Sequence, residues 1–160
     1  MKVMLLVFFD WQGIIHHEFV PRGQTVNKEL YISVLKRLRE AVRQKRPQLW
    51  MKQSWVLHHD NGTAHSSFLV HNFLAKNEMT VVPQPPYSPD LAPADFFLFL
   101  KLKFTLKGRR FDTVDEIQKN STNEFAIPKE AFQKAFQSWQ KRWEWCVASE
   151  GNYFEVDKLE

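Results

Sequence analysis

The amino-acid sequence predicts an α/β fold from its alternating patterns, and a single globular domain from its composition and its one cysteine. Short apolar runs bounded by turn residues alternate with stretches whose apolar residues recur every three or four positions, giving the order ββαβαβ before further helices. The 160 residues are 44% hydrophobic and 25% charged, as in one soluble globular domain. The single cysteine excludes a disulfide framework. No apolar run reaches the roughly 20 residues of a bilayer span, so we expect no membrane association.

The first two apolar runs predict an antiparallel hairpin, because only four turn-like residues separate Val3 to Phe9 from Ile14 to Val20. A helix follows, which Thr25 or Asn27 can cap and which ends at Pro47. Its apolar face is predicted by spacings of three and four residues: Leu30, Tyr31, Val34, Leu35, Leu38 and Val42.

The next elements alternate between strand and helix. Trp55 to His58 predicts a short strand, Ser66 to Lys76 a helix, and Met79 to Val82 another strand. The residues expected to face inward from this helix are Phe68, Leu69, Phe73 and Leu74. Five prolines between Pro83 and Pro93 then predict an extended loop, since proline is excluded from helix interiors and central strands.

The remaining residues predict helices. One runs from Ala94 to Leu106, and Thr113 with Glu116 has the spacing of a capping box. A last helix is predicted from Pro128 to Glu150. Its apolar stripe consists of Phe132, Phe136, Trp139, Trp143 and Cys146. We find no internal repeat and no long linker, so we expect residues 1–160 to form a single domain.

Basic residues outnumber acidic ones by 22 to 18, which favours a polyanionic partner without requiring one. They concentrate in two segments: Lys36, Arg37, Arg39, Arg43, Lys45 and Arg46, and then Lys101, Lys103, Lys107, Arg109 and Arg110. A solvated helix face is the commoner explanation for such a cluster.

Two aspartates occupy positions from which chemistry often starts. Asp60 follows a predicted strand and Asp95 lies in the first turn of a predicted helix, with 34 residues between them. Carboxylates that converge in this way could hold Mg²⁺ or Mn²⁺ for two-metal phosphoryl chemistry. The alternative is structural: Asp60 could begin an Asx turn and Asp95 could complement a helix N-terminus.

Two motifs surround these carboxylates. His59, Asp60 and Asn61 read HDN, with His65 soon after, and residues 86–95 read PYSPDLAPAD. Together they resemble the catalytic-domain signature of mariner-type transposases, in which HDN and YSPDLAPxD motifs place 34 residues between the second and third catalytic aspartates. The resemblance extends from the opening hairpin to the segment Gly151 to Phe154 and thus covers nearly the whole chain.

The resemblance implies an RNase H-like mixed sheet with flanking helices, and an enzyme that cuts and joins DNA with Mg²⁺ or Mn²⁺. It assigns Asp60 and Asp95 as catalytic metal ligands in the second and third places. Asn61 and His65 become candidates for positions beside the metals. The candidates for binding DNA phosphates are Lys107, Arg109 and Arg110. The partners implied are transposon-end and target DNA, with a possible homodimer, in the nucleus.

The sequence also departs from the family pattern. These residues do not include the family's central first strand, which carries the first catalytic aspartate, nor its helix-turn-helix modules. We therefore expect an N-terminally truncated catalytic domain with impaired activity. We also expect unpaired sheet edges where the first strand would lie. Asp10 is not expected to replace the first aspartate, since its strand runs antiparallel to the one in question. The alternatives are a non-enzymatic remnant, a weak nonspecific DNA-binding module, or an incomplete gene product.

Overall fold

The computed structural model describes residues 4–20, 23–59, 64–82, 84, 91–99 and 127–148. Several predicted features lie outside these residues: most of the proline-rich loop, the region 100–126, and the site candidates Asp60, Asn61, Lys107, Arg109 and Arg110. The chain divides into two compact units, Met1–Asp10 with Ile14–Pro86, and Trp11–Gly13 with Tyr87–Glu160. Within the described ranges, no helix combines the length and apolarity that a bilayer crossing requires.

The opening hairpin is confirmed. Strands β1 (Leu5–Asp10) and β2 (Gly13–Phe19) are hydrogen-bonded neighbours joined by two residues, a connection that only antiparallel strands allow. At the open end, the Val20 amide donates to the Met4 carbonyl at 2.9 Å. Gly13 has a φ of 126°, a conformation that side-chain-bearing residues rarely adopt, so the turn requires glycine there.

Helix α1 (Lys28–Lys45) is also confirmed, including its cap, because the Asn27 side chain accepts a hydrogen bond from the Leu30 amide at 2.8 Å. Five of the six predicted face residues are buried, and Leu30 is half-buried. Pro47 ends α1 as predicted, but it also begins a short helix, α2 (Pro47–Lys52), that the sequence analysis did not predict. Proline suits that first helical position, where its missing amide proton costs nothing.

Two short parallel strands enclose the next helix. Strand β3 (Val56–His58) pairs with β4 (Thr80–Val82) in the register Val56 to Thr80, and α3 (Phe68–Lys76) connects them. Ser67 caps α3 through its hydroxyl, which accepts from the Val70 amide at 3.3 Å.

The prediction for the inward face of α3 is half wrong. Val70 and Leu74 are the buried residues of this helix, and Phe73 is half-buried. Phe68 and Leu69 face solvent, with 83% and 47% of their surface exposed. Val70 and Leu74 stand four apart and form one stripe, and that stripe leaves the first-turn residues Phe68 and Leu69 on other sides of the helix.

The described strands form two two-stranded sheets, β1 with β2 and β3 with β4, rather than one continuous mixed sheet. No described strand joins the two pairs. Both pairs contribute to one core built on α1, in which Ile15 of β2 and Leu57 of β3 cluster with Leu35 and Leu38. Burial against this helix therefore ties the two strand pairs to a shared core within the first unit.

The second unit is helical in its described part. The segment Ala94–Leu98 forms a π-helical turn, and helix α4 spans Lys129–Ala148. Phe132 of α4 meets Phe97 edge-on, with ring centroids 5.4 Å apart, and both Phe132 and Leu98 are fully buried. The predicted α4 stripe is thus confirmed at Phe132, whereas its other members, Phe136, Trp139, Trp143 and Cys146, are half-buried.

Candidate functional site

Asp95 is the one predicted metal ligand that falls among the described residues. It lies in the first turn of the π-helical segment, and its side chain is exposed. Its backbone amide donates to the Ala92 carbonyl at 2.9 Å, and the Phe96 amide donates to the same oxygen at 3.1 Å. The two hydrogen bonds fix the turn while the carboxylate stays accessible to solvent. Single π-turns within helices recur at functional sites.

The segment that leads into the HDN motif is held by Tyr31 of α1. The Tyr31 hydroxyl and His59 Nδ1 share a hydrogen bond of 2.7 Å, and only 1% of the tyrosine surface is exposed. His65 stacks on the Tyr31 ring at 3.9 Å between centroids and on the His59 ring at 5.1 Å. The structure therefore brings His65, a predicted candidate, together with His59, which is adjacent to Asp60 in the chain.

Tyr31 contacts the HDN motif, and the sequence analysis did not predict this contact. Its spacing along α1 predicted a core residue, and its ring is indeed buried. A buried tyrosine hydroxyl needs a hydrogen-bond partner, however, and here that partner is a motif histidine 28 residues away in the chain. The polar tip of the residue was the signal available in the sequence, but it does not identify the partner.

Adjacent histidines along the strands contact different partners. His58 Nδ1 donates to the Val82 carbonyl at 3.1 Å, whereas the neighbouring His59 turns to Tyr31. On β2, His16 Nε2 lies 2.7 Å from Glu18, two residues along the same strand. Among the described residues, no group of three or more His, Cys, Asp or Glu side chains is arranged to hold a metal ion. The neighbouring His58 and His59 therefore face different partners, as the alternation of side chains along a strand predicts.

Asp10 is committed to an ion pair. The Arg46 guanidinium donates to both of its carboxylate oxygens, from Nε at 2.8 Å and from Nη2 at 2.9 Å. Both side chains are mostly buried, with 19% of Asp10 and 13% of Arg46 exposed. This two-point geometry matches the fork of a guanidinium to a carboxylate. It supports the expectation that Asp10 does not take the place of a metal ligand.

The basic cluster on α1 is largely engaged within the first unit. Arg37 donates to both oxygens of Glu18, at 2.9 and 2.6 Å, and these hydrogen bonds hold the pKa of the Glu18 carboxyl below its usual value, although burial acts in the opposite direction. Further partners are Glu40 for Arg43, the Ile15 carbonyl for Lys45, and the Trp50 ring for Arg39. Three of the six basic side chains of this cluster, Arg37, Arg43 and Arg46, are thus paired with carboxylates.

Helix α4 contacts residues that precede and follow Asp95 in the chain. The Trp139 indole N–H donates to the Leu91 carbonyl at 2.7 Å, four residues before Asp95. The Arg142 guanidinium lies over the Phe96 ring at 4.1 Å, and its Nε donates to the Ser138 hydroxyl at 3.1 Å. The sequence analysis assigned Trp139 to the core and made no prediction for Arg142.

Comparison with known proteins reveals consistent similarities. Residues 1–52 match the family model described as a transposase with a partial DDE domain. The Mariner Mos1 transposase of Drosophila mauritiana is 37% identical over 156 residues, which are 96% of this chain and 45% of that protein. The human histone-lysine N-methyltransferase SETMAR is 28% identical over 156 residues, 23% of its length. The chain thus spans less than half the length of these relatives.

The fold resembles solved transposase structures over nearly its whole length. The Mos1 transposase catalytic domain, solved with raltegravir and Mn, superimposes with a TM-score of 0.91 at 36% identity, over 96% of this chain and 78% of that one. The Mos1 mariner paired-end complex with Mn gives a TM-score of 0.90 at 36% identity, over 96% and 45% of the two chains. The RNase H-like architecture implied by the motifs is confirmed by these similarities.

Proposed function

The chain belongs to the mariner transposase family, and from that membership we propose that it acts in metal-dependent DNA strand cleavage and transfer. The observation that carries the proposal is the match to the Mos1 catalytic domain, with a TM-score of 0.91 over 96% of this chain. The HDN and YSPDLAPAD motifs lie within the matched length, at the spacing that the family uses for two of its catalytic aspartates.

Asp60 and Asp95 are proposed to hold the divalent ion. Carboxylate oxygens are the hard ligands that Mg²⁺ and Mn²⁺ prefer, and the exposed side chain of Asp95 on a fixed turn fits that role. Solved Mos1 structures contain Mn or Mg. When bound, such ions activate an attacking oxygen and stabilise the leaving one. The protein's own contribution is to hold the carboxylates in fixed positions and to align the DNA backbone.

The remaining assignments follow from the same membership. Asn61 and His65 are proposed to lie beside the ion, and the stacking of His65 on Tyr31 supports a fixed orientation for that ring. Lys107, Arg109 and Arg110 are proposed to bind DNA phosphates. The Mos1 paired-end complexes support DNA as the partner. A homodimer and a nuclear location are part of the proposal.

The carboxylates are tested by direct Mn²⁺ binding, measured as loss of the free-ion signal in electron paramagnetic resonance. Asp60→Asn and Asp95→Asn are each expected to weaken binding about 10-fold or more, since each removes a charged ligand. Glu144→Gln on α4 is the matched control, because it removes one exposed carboxylate elsewhere and should change nothing. Unaltered Mn²⁺ affinity in both aspartate variants would overturn the metal assignment.

Nicking of supercoiled plasmid tests the reaction itself. We expect weak nicking that requires Mn²⁺ or Mg²⁺ and that Asp95→Asn abolishes. The nicking should be weak because the resemblance assigns only two of the family's three aspartates here. A titration of DNA binding with salt separates the alternatives. Salt-sensitive binding without nicking would identify a nonspecific DNA-binding module, and absence of both would identify a non-enzymatic remnant.

A further inference from the structure

We propose that Trp139 of α4 is a positioning residue for Asp95, acting through its hydrogen bond to the Leu91 carbonyl. The inference rests on the proposed role of Asp95 as a metal ligand and adds a residue outside both sequence motifs. It assigns α4 the task of fixing the backbone on which that carboxylate stands.

The path from Trp139 to Asp95 runs through two successive peptide groups. The indole Nε1–H holds the Leu91 carbonyl at 2.7 Å, and Leu91 is itself only 3% exposed. The next carbonyl along the chain, that of Ala92, accepts from the Asp95 amide at 2.9 Å. Because each peptide group is planar, only the φ and ψ of Ala92, which is 8% exposed, separate the Leu91 carbonyl from the one that holds Asp95, so fixing the first restricts the second.

The other side of the turn is held by the same helix. Arg142, three residues after Trp139, lies over the Phe96 ring at 4.1 Å, and Phe132 meets Phe97 edge-on at 5.4 Å. Asp95 is thus bracketed by α4 contacts to the residues before and after it, yet its own side chain remains exposed. Such an arrangement orients a ligand without covering it, as outer partners of metal ligands do.

The matched pair Trp139→Phe and Trp143→Phe tests the proposal. Both make the same change at half-buried positions of α4, but only the first removes the bond to Leu91. Trp139→Phe is expected to weaken Mn²⁺ binding about 10-fold, the lower range for loss of an outer-shell partner, with Trp143→Phe within about twofold of the parent. Amide hydrogen exchange at Asp95 should quicken in the first variant and not in the second.

Asp95→Asn in the same titration separates failure of the inference from failure of the proposed function. If Asp95→Asn leaves Mn²⁺ affinity unchanged, the metal assignment itself is wrong. If Asp95→Asn weakens binding and folded Trp139→Phe does not, the positioning role is refuted. Should Trp139→Phe not fold, Trp139→Leu takes its place, because it also removes the indole N–H that holds the Leu91 carbonyl: it should weaken Mn²⁺ binding, and an unchanged affinity would overturn the proposal.

Discussion

Replacing Asp10 with asparagine should destabilise the fold and leave metal binding intact. The substitution keeps the shape of the side chain but removes the charge that Arg46 contacts at 2.8 and 2.9 Å. Exposed ion pairs contribute about 0–1 kcal/mol, whereas breaking a fully buried pair costs about 3–5 kcal/mol. With 19% and 13% of the two side chains exposed, this pair lies between those limits, and we expect a loss of about 2 kcal/mol.

Urea unfolding measures that loss, and a scan of thermal unfolding should show Tm lowered by roughly 4–8 °C for a chain of this length. The Mn²⁺ titration supplies the second readout, in which Asp10→Asn should match the parent protein while Asp95→Asn does not. The double variant Asp10→Asn with Arg46→Gln should be less destabilised than the sum of the single variants. Weakened Mn²⁺ binding by Asp10→Asn at unchanged stability would refute the assignment of this aspartate to structure.

Three further outcomes are expected. Tyr31→Phe should cost about 1–3 kcal/mol in urea unfolding, because it leaves the His59 nitrogen without the tyrosine hydroxyl; no loss would mean that this bond is not formed in solution. Hydrogen bonds from Arg37 lower the pKa of Glu18, so the native state binds fewer protons there than the unfolded chain does. The free energy of unfolding should therefore fall as pH drops below about 4.5. Glu18→Gln should reduce this pH dependence, and an unchanged dependence in the variant would contradict the prediction. Phe68→Ser should change the free energy of unfolding by less than about 0.5 kcal/mol, and a loss above 2 kcal/mol would restore its predicted inward position.

Local signals in the sequence account for the elements that the analysis predicted well. The hairpin needed only a short polar turn between two apolar runs, and α1 needed one sustained period and a cap at Asn27. Helix α3 was predicted, but its inward face was only half right, because apolar residues occur on several sides of the helix and periodicity did not single out the stripe of Val70 and Leu74. Helix α2 was missed because Pro47 was interpreted as a terminator, although proline equally begins helices.

In the candidate site too, the sequence predicted the residues of the motifs but not the residues far along the chain that contact them. Motif spacing predicted Asp95 as a ligand, and the structure shows that this residue is exposed. The contacts that orient the motif residues come from far along the chain: Tyr31 reaches His59 across 28 residues, and Trp139 reaches Leu91 across 48. Both residues lie at the helical spacing of core positions, which does not reveal the hydrogen bonds of their polar atoms. Those bonds form only once the helices have packed against the motif segments.

The structure bears on which basic segment would serve the proposed DNA binding. Charge counting made the α1 cluster as strong a candidate as the second basic segment, yet Arg37, Arg43 and Arg46 are each paired with a carboxylate. A phosphate at Arg46 would first have to break the mostly buried pair with Asp10, which offsets the gain from releasing counterions, whereas the exposed pair of Arg43 with Glu40 contributes little. The proposal keeps Lys107, Arg109 and Arg110 as the phosphate contacts, as the family resemblance implies. Neutralising those three residues should reduce the salt dependence of DNA binding, whereas neutralising Arg43 should leave it unchanged.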